Sequence, residues 1–253
     1  MDYNRAEFYI EHLDTVDSTN SYARCHSARL WAIAGDVKAV VVYAREQTAG
    51  RGQRGNVWHS RAGENLLVSF VVRPTALPVT SQFALSQAVA LAVRSAMGYL
   101  DIDVVLKWPN DIYVGERKLA GILVELDCCG SLVEQAVIGI GLNVNEEQFA
   151  PMEKVPVSMK MLTGEVYDVQ EVLGVLLDSF SYYSSLLDAG SYSLLAAEYK
   201  KNLLGYKRLM HYRDATSEFD AKIMDIASDG HLCLQCSDGS MRSYAFKEVE
   251  LVI

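Results

Sequence analysis

Hydrophobic and polar residues follow two different periods in the first 145 residues of the chain. Apolar residues recur at helical spacing between Phe83 and Leu100, which predicts a core helix capped by Thr80 or Ser81. The polar run at residues 17–20 offers N-caps for another helix. The predicted β-strands are residues 8–16, 37–44, 63–72, 103–114, 118–126 and 132–144.

Beyond residue 170 the pattern predicts two helices and then strands only. The helices are predicted at residues 171–187 and 191–204. Gly190 and Gly205 are placed to end them. Residues 206–253 hold five short β-like runs with Ser-Asp-Gly turns, which is typical of a small β-barrel. We therefore expect a larger α+β domain, residues 1–204, and a barrel domain, residues 205–253.

Composition and charge narrow the possible functions. The chain has 253 residues, of which 50% are hydrophobic, and a net charge of −9, which argues against a nucleic-acid partner. Its five cysteines are an odd number in a chain that needs no disulfides, so we expect a reduced, cytoplasmic protein. Charged residues near the start argue against an export signal, and the longest uncharged stretch, residues 74–93, is too polar to span a membrane.

The segment at residues 50–55 matches the G-x-G-x-x-G pattern of dinucleotide-binding proteins. That motif requires a helix to begin inside it, whereas here the chain runs on into a predicted strand, so we reject this interpretation. Glycines interleaved with Arg51 and Arg54 in an acidic protein favour a loop that binds an anionic ligand. A mobile solvated loop would explain the glycines and arginines but not the neighbouring Trp58.

Two further segments interrupt predicted strands with residues that strands disfavour. Residues 107–111 place tryptophan and proline between a lysine and an Asn-Asp pair, which indicates a fixed turn with a function. Residues 139–145, GIGLNVN, introduce glycines that let a planar ligand or another stretch of backbone pack close, although a β-bulge would also explain them.

Five segments, in this order, resemble the motifs of biotin–protein ligases. They are DSTN (17–20), EQTAGRGQRGNVW (46–58), KWPNDI (107–112), RKLAGILVE (117–125) and GIGLNVN (139–145). The resemblance implies an α+β fold in which a mixed β-sheet is flanked by helices, as in class II synthetases and biotin–lipoate ligases. It also implies a small C-terminal β-barrel, so that residues 1–204 would be the catalytic biotin- and ATP-binding domain.

The reaction implied by the resemblance joins biotin to a lysine of a biotin carboxyl carrier domain. Biotin first reacts with Mg-ATP to form biotinyl-5'-AMP, and the carrier lysine then attacks this intermediate. The resemblance assigns catalysis to Lys118, Arg51 and Asp111, with Asp111 as the Mg²⁺ ligand. The implied biotin-binding residues are Ser18, Thr19, Asn20, Gln47, Gly50, Arg51, Gly52, Gln53, Lys118 and Gly121. The implied ATP-binding residues are Arg51, Gln53, Arg54, Trp58, Asn110, Lys118 and Asn143, with Trp58 and Asn143 at the adenine.

The sequence departs from the family pattern at one position and leaves alternatives open. Many members carry arginine where Gln53 stands, so we expect weaker retention of the adenylate unless Arg54 substitutes. Regulatory members carry an N-terminal helix-turn-helix, for which the position of DSTN leaves no room, so we expect a ligase without repressor function. A lipoate or octanoate ligase or transferase and an inactive biotin-binding module are the alternatives, and the oligomeric state stays open.

A possible metal site lies near the C-terminus. His231, Cys233 and Cys236 have the spacing of half a metal site, but no second Cys/His pair with ligand spacing accompanies them. Alternation along a strand explains the three residues better, so we expect no metal there.

Overall fold

The computed structural model describes residues 7–150 and 155–252, without the side chain of Arg54. The first half contains β1 (Phe8–Val16), α1 (Thr19–Ala34), β2 (Ala39–Gln47), β3 (Asn65–Val72), α2 (Phe83–Tyr99), β4 (Val105–Lys107), β5 (Asp111–Val114), β6 (Arg117–Cys129) and β7 (Leu132–Asn143). The second half contains α3 (Met159–Thr163), α4 (Val169–Asp188), α5 (Tyr192–Lys201), β8 (Leu209–Asp214), β9 (Glu218–Ile226), β10 (Leu232–Cys236), β11 (Met241–Tyr244) and β12 (Val249–Leu251).

A seven-stranded mixed sheet forms the centre of the molecule. Its strand order is β1-β2-β3-β7-β6-β5-β4, with β1 parallel to β2 and every other pair antiparallel. Because side chains alternate across a strand, Val40 and Val42 pack with α1 while Val41 joins the core on the opposite side. The helices α2, α4 and α5 contribute to that second, larger core. The predicted mixed sheet flanked by helices is therefore confirmed.

The last strands form a second sheet with the order β11-β10-β9-β8-β12, all antiparallel. All five strands predicted in this segment are present. Within the residues that the structure describes, no ladder joins β11 to β12, so the predicted barrel is here an open five-stranded sheet. The proposed division of the chain at residue 205 stays a prediction.

Backbone hydrogen bonds and aromatic contacts connect the two sheets. Leu106 N donates to Asn202 O at 3.0 Å, and Leu204 N donates to Leu106 O at 2.8 Å, which ties the chain before β8 to the edge strand β4. The Trp108 indole donates to Gly230 O at 3.0 Å, and its ring lies 5.4 Å from that of Phe246. The buried core is continuous between the two sheets.

Several local predictions are corrected or refined. The predicted caps of α2 are wrong, because residues 79–81 form a separate 3-10 turn and Gln82 occupies the N-cap without a side-chain hydrogen bond. The N-cap of α1 lies within the predicted polar run at residues 17–20: it is Ser18, whose side chain accepts from Ser21 N. The short helix α3 was not predicted; Ser158 caps it by accepting from Met161 N at 3.2 Å.

The cysteines and the helices bear on the presence of disulfides, of metal ligands and of a membrane-spanning segment. All five cysteines are thiols. Among the described residues no cluster could hold a metal ion, and β10 contains Cys233 and Cys236 as alternating strand residues. None of the helices in the described part of the chain combines the length and apolar character needed to cross a membrane.

Candidate active site

A cleft of about 710 Å³ opens between the seven-stranded sheet, the glycine-rich loop (residues 50–58) and the C-terminal sheet. Most residues assigned by resemblance line it: Ser18, Thr19, Asn20, Gln47, Arg51, Gly52, Gln53, Trp58, Asn110, Asp111, Lys118, Gly121 and Asn143. Gly50 lies on the outer side of the loop, where it lines a smaller, shallow depression with Arg51. The side chain of Arg54 lies outside the described part of the structure.

One end of the cleft is a niche of neutral polar side chains at the start of α1. Thr19 donates to Gln47 Oε1 through both its backbone nitrogen, at 2.7 Å, and its hydroxyl, at 3.0 Å. Ser69, fully buried on β3, lies 2.8 Å from Thr19 Oγ1 and 2.6 Å from Asn20 Oδ1. No hydrogen bond from the Gln47 amide nitrogen is formed within the described residues. The niche therefore presents neutral donors and acceptors held at fixed positions.

The orientation of the Asn20 amide is determined by its neighbours. Its nitrogen lies 3.1 Å from Glu125 Oε2 and 3.5 Å from Leu123 O. Since a carboxylate and a carbonyl only accept, the amide nitrogen faces β6 and the amide oxygen faces Ser69. Glu125 thus fixes which hydrogen-bonding group of Asn20 lies on each side.

Glycines on β7 make room for the side chains above the sheet. A Cβ on Gly139 would overlap the Asn20 amide, with Cγ at only 2.9 Å. A Cβ on Gly141 would lie 2.7 Å from Cζ2 of the Trp58 indole. The groups that approach these two glycines are side chains of the protein itself, not another stretch of backbone, and the predicted planar ligand stays a prediction. The two positions lie on one face of the strand, roughly 6.8 Å apart.

The glycine-rich loop folds as a small hairpin above the sheet. Trp58 N donates to Gly50 O at 2.9 Å, and Gly52 N donates to Asn56 O at 2.7 Å. Gly50 must be glycine because a Cβ would collide with the Trp58 carbonyl oxygen. Lys247, in the turn between β11 and β12, donates to Gln53 O at 3.3 Å. The loop is thereby held in contact with both sheets.

A cation and a carboxylate meet where the Trp58 indole lies. Lys118 Nζ is 2.6 Å from Asp111 Oδ1, and the carboxylate is 5% exposed. The same ammonium lies 5.6 Å from the centre of the Trp58 ring, within cation–π distance. A Cβ on Gly121 would be 3.1 Å from both groups, so this glycine leaves space for them. This end of the cleft is therefore charged, unlike the niche at α1.

The two asparagines assigned to ATP use their amides to hold the backbone of the cleft. Asn110 Nδ2 donates to Ile122 O at 2.7 Å, which attaches the turn between β4 and β5 to β6. Asn143 is buried, and its amide nitrogen donates to Val157 O at 3.1 Å. Both residues line the cleft, so each can act as a wall while its amide nitrogen is already engaged.

Two buried phenols near Asp111 and the C-terminal side of the cleft have raised pKa values. Burial raises the pKa of the Tyr113 phenol, and the negative charges of Asp111 and Glu250 raise it further. Burial also raises the pKa of Tyr212, which belongs to the C-terminal sheet. Both phenols are therefore neutral at physiological pH and add no charge beside Asp111.

The oxygen donors of the cleft determine whether a magnesium ion could bind there. Mg²⁺ is held by one or two carboxylates together with substrate phosphates, and Asp111 supplies one carboxylate at the charged end of the cleft. The described residues contain no cluster of three potential metal ligands. The residues fit a magnesium ion that arrives with a nucleotide.

Sequence reasoning missed several residues in and around the cleft. Ser69 is a single hydroxyl within the apolar run that follows Asn65 in β3, and that break in the pattern was its only signal. Glu125 ends the motif at residues 117–125 but was given no role. Tyr212, Lys247 and Glu250 reach the cleft from the C-terminal sheet, for which the sequence offered no sharp motif.

Comparison with known proteins identifies the class. Residues 15–143, half of the chain, match the model of the biotin/lipoate A/B protein ligase family. The chain therefore belongs to this family, which confirms the family resemblance inferred from its motifs.

Individual proteins of known name are also similar to this chain. The chain is 31% identical over 221 residues to the bifunctional ligase/repressor BirA of Bacillus spizizenii, covering 85% of this chain but 66% of that protein, slightly less than two thirds of its length. It is 35% identical over 183 residues to the biotin–[acetyl-CoA-carboxylase] ligase of Paracoccus denitrificans, covering 70% of this chain and 73% of that protein. Its fold is similar to that of the Aquifex aeolicus biotin protein ligase solved with biotin and ATP, with a TM-score of 0.78 and 24% identity over 96% of this chain and 98% of that one.

Proposed function

We propose that the protein is a biotin–protein ligase that activates biotin with Mg-ATP and transfers it to a lysine of a biotin carboxyl carrier domain. The observation that carries this proposal is the joining of two unlike sites in one cleft. A neutral hydrogen-bonding niche, formed around Asn20 and Gln47, lies beside the Lys118–Asp111 pair. Such a cleft suits a substrate with a neutral polar head and a carboxylate tail.

The separation of the two sites supports this arrangement of the substrate. Gly139 lies under Asn20 of the niche, and Gly141 lies under Trp58 beside Lys118. These glycines are two residues apart on one strand, roughly 6.8 Å. The head and the carboxylate of biotin would therefore lie along β7, over the two glycines.

The proposed first step forms a bond between a biotin carboxylate oxygen and the α-phosphorus of ATP. The bond from that phosphorus to the bridging oxygen breaks, and pyrophosphate leaves. Negative charge develops on the phosphoryl oxygens, and Lys118 and Arg51 are the cations at hand to stabilise it. Asp111 positions Lys118, to which it is bonded at 2.6 Å. Mg²⁺, held by Asp111 and the phosphates, would neutralise charge on the leaving pyrophosphate.

The proposed second step transfers biotin to the carrier. The neutral amine of a carrier lysine attacks the carbonyl carbon of the mixed anhydride, AMP leaves with the electron pair, and the amine loses a proton. A carrier domain of a carboxylase is the proposed partner, and the names of the relatives support this choice. A cytoplasmic location and the absence of a nucleic-acid partner are part of the proposal, supported by the five thiols and the net charge of −9.

Isotope exchange between pyrophosphate and ATP tests the first step without any carrier protein. We expect exchange with biotin and none with lipoate or without an acid. Lys118→Gln should slow exchange by about 100-fold or more, because it removes a cation from the developing charge. Lys200→Gln is the matched control, since Lys200 pairs with Asp225 at 2.8 Å outside the cleft.

Each other outcome contradicts the proposal in a different way. Exchange with lipoate instead of biotin would make the protein a lipoate or octanoate ligase. The absence of exchange with either acid would favour an inactive biotin-binding module. Equal exchange by the native protein and Lys118→Gln would remove Lys118 from the first step.

A further inference from the structure

Glu125, on β6, bonds to two different parts of the candidate site at once. Its Oε1 lies 2.9 Å from Arg51 Nη2 and its Oε2 lies 3.3 Å from Arg51 Nη1, so the two side chains meet end to end. The same Oε2 accepts from Asn20 Nδ2 at 3.1 Å. One carboxylate therefore connects the glycine-rich loop to the polar niche.

We propose that Glu125 is a positioning residue that docks Arg51 and the glycine-rich loop on β6 and fixes the amide of Asn20 for the substrate. The proposal rests on the proposed function, because it assigns a role to Glu125 in binding biotin at that same site. Glu125 does not need to touch the reacting atoms.

The loop has few other attachments, which makes this ion pair important. Its hairpin is stabilised mainly by its own backbone hydrogen bonds, and Val57 at its far side is 58% exposed. Attachments to the rest of the protein include the Trp58 ring on β7 and the bond from Lys247 to Gln53 O. The pair with Glu125 is the one that holds the cation assigned to the substrate.

Docking leaves Arg51 able to bind a ligand. A guanidinium has five N–H donors, and the end-to-end pair with Glu125 uses two of them. Arg51 also lines the cleft, so its remaining donors can reach an anion there without breaking the pair. Glu125 keeps a second cation nearby, with Arg24 Nη1 at 3.6 Å, so its charge stays compensated if the loop moves.

Glu125→Gln tests the proposal, because glutamine keeps the size and one acceptor but removes the charge. Asp225→Asn is the control: Asp225 pairs with Lys200 at 2.8 Å outside the cleft, and among the residues that the structure describes it shares no partner with Glu125. We expect Glu125→Gln to raise the KM for biotin in pyrophosphate exchange about tenfold, with a smaller change in kcat. Asp225→Asn should leave both unchanged.

Limited trypsin digestion of the protein without ligands provides a second readout, since the loop contains Arg51 and Arg54. We expect faster cleavage in the loop for Glu125→Gln than for the native protein or Asp225→Asn. Because the Arg51 side chain of the pair is 45% exposed, high salt should accelerate cleavage of the native protein and have little effect on Glu125→Gln. A purely structural role of Glu125 would not produce this difference in salt dependence.

The two experiments distinguish a failure of the proposed function from a failure of the proposed role of Glu125. No exchange with biotin by the native protein would overturn the proposed function, while the digestion would still test the docking of the loop. Equal cleavage of the native protein and Glu125→Gln would overturn the docking. A lower KM for biotin in Glu125→Gln would also overturn the proposal, because Glu125 would then withhold Arg51 from the substrate.

Discussion

Substitution of Gly139 by alanine should damage the polar niche, because it adds a methyl group directly against the Asn20 amide. The new methyl group would overlap the Asn20 amide, with Cγ 2.9 Å away, where ordinary contacts are 3.4–4 Å. Asn20 is buried near the start of α1 and bonded to Ser69 at 2.6 Å and to Glu125 at 3.1 Å. It therefore has no free direction in which to move.

The expected magnitude follows from these contacts. Overpacking a well-filled core costs about 1–3 kcal/mol. Each strained or lost hydrogen bond adds about 1 kcal/mol. We therefore expect Gly139→Ala to lower the free energy of unfolding by about 2–4 kcal/mol and to weaken biotin binding at least tenfold.

Urea denaturation and isothermal titration with biotin measure the two effects. Gly98→Ala in α2 is the control, because nothing lies within 4 Å of its added Cβ. Alanine there should leave the free energy of unfolding unchanged or raise it by up to ~1 kcal/mol. The reasoning is refuted if Gly139→Ala binds biotin like the native protein and changes the free energy of unfolding by no more than about 0.5 kcal/mol, the size of a neutral surface substitution.

Three further predictions concern other parts of the molecule. Gly141→Ala should displace the Trp58 ring, which lies on a loop and can move. The KM for ATP should therefore rise while the urea midpoint changes little, and an unchanged KM for ATP would contradict this. Gln53→Arg should slow release of the adenylate, measured by its dissociation rate, because it adds a cation to the loop; equal rates would argue against a role for this position. Hydrogen bonds to Asp220 and Glu218 raise the pKa of His211 above its value of about 6.5 in the unfolded chain. Protonated His211 therefore stabilises the fold fully at pH values below about 6.5, and this stabilisation is lost as the pH rises through the higher pKa of the folded protein. Asp220→Asn should lower that pKa in an NMR titration, and an unchanged value would contradict the cause.

The sequence predicted the elements of the fold better than their ends. The first strand has the predicted bounds, because its apolar residues stop at the polar run that begins α1. The caps of α2 were misassigned because a 3-10 turn at residues 79–81 precedes the helix and uses the same polar residues. The short α3 has too few residues to show a period.

The candidate site was predictable where motifs are continuous in sequence and not where the fold brings distant residues together. The residues of the niche and the Lys118–Asp111 pair came from such motifs and line one cleft. Ser69 and Glu125 complete the niche from β3 and β6, through contacts with Asn20 that span 49 and 105 positions. Contacts of that range depend on sheet register, which the hydrophobic pattern does not specify in detail.

The continuous core between the two sheets limits how the protein can be divided or recombined. Trp108 and Phe83 of the larger part bury their rings against Phe246 of the C-terminal part. A chain cut at residue 205 would leave these rings facing water, and a C-terminal segment exchanged with another protein would have to reproduce their shapes. Truncation, fusion and segment exchange at this boundary should therefore be treated as changes to a protein interior.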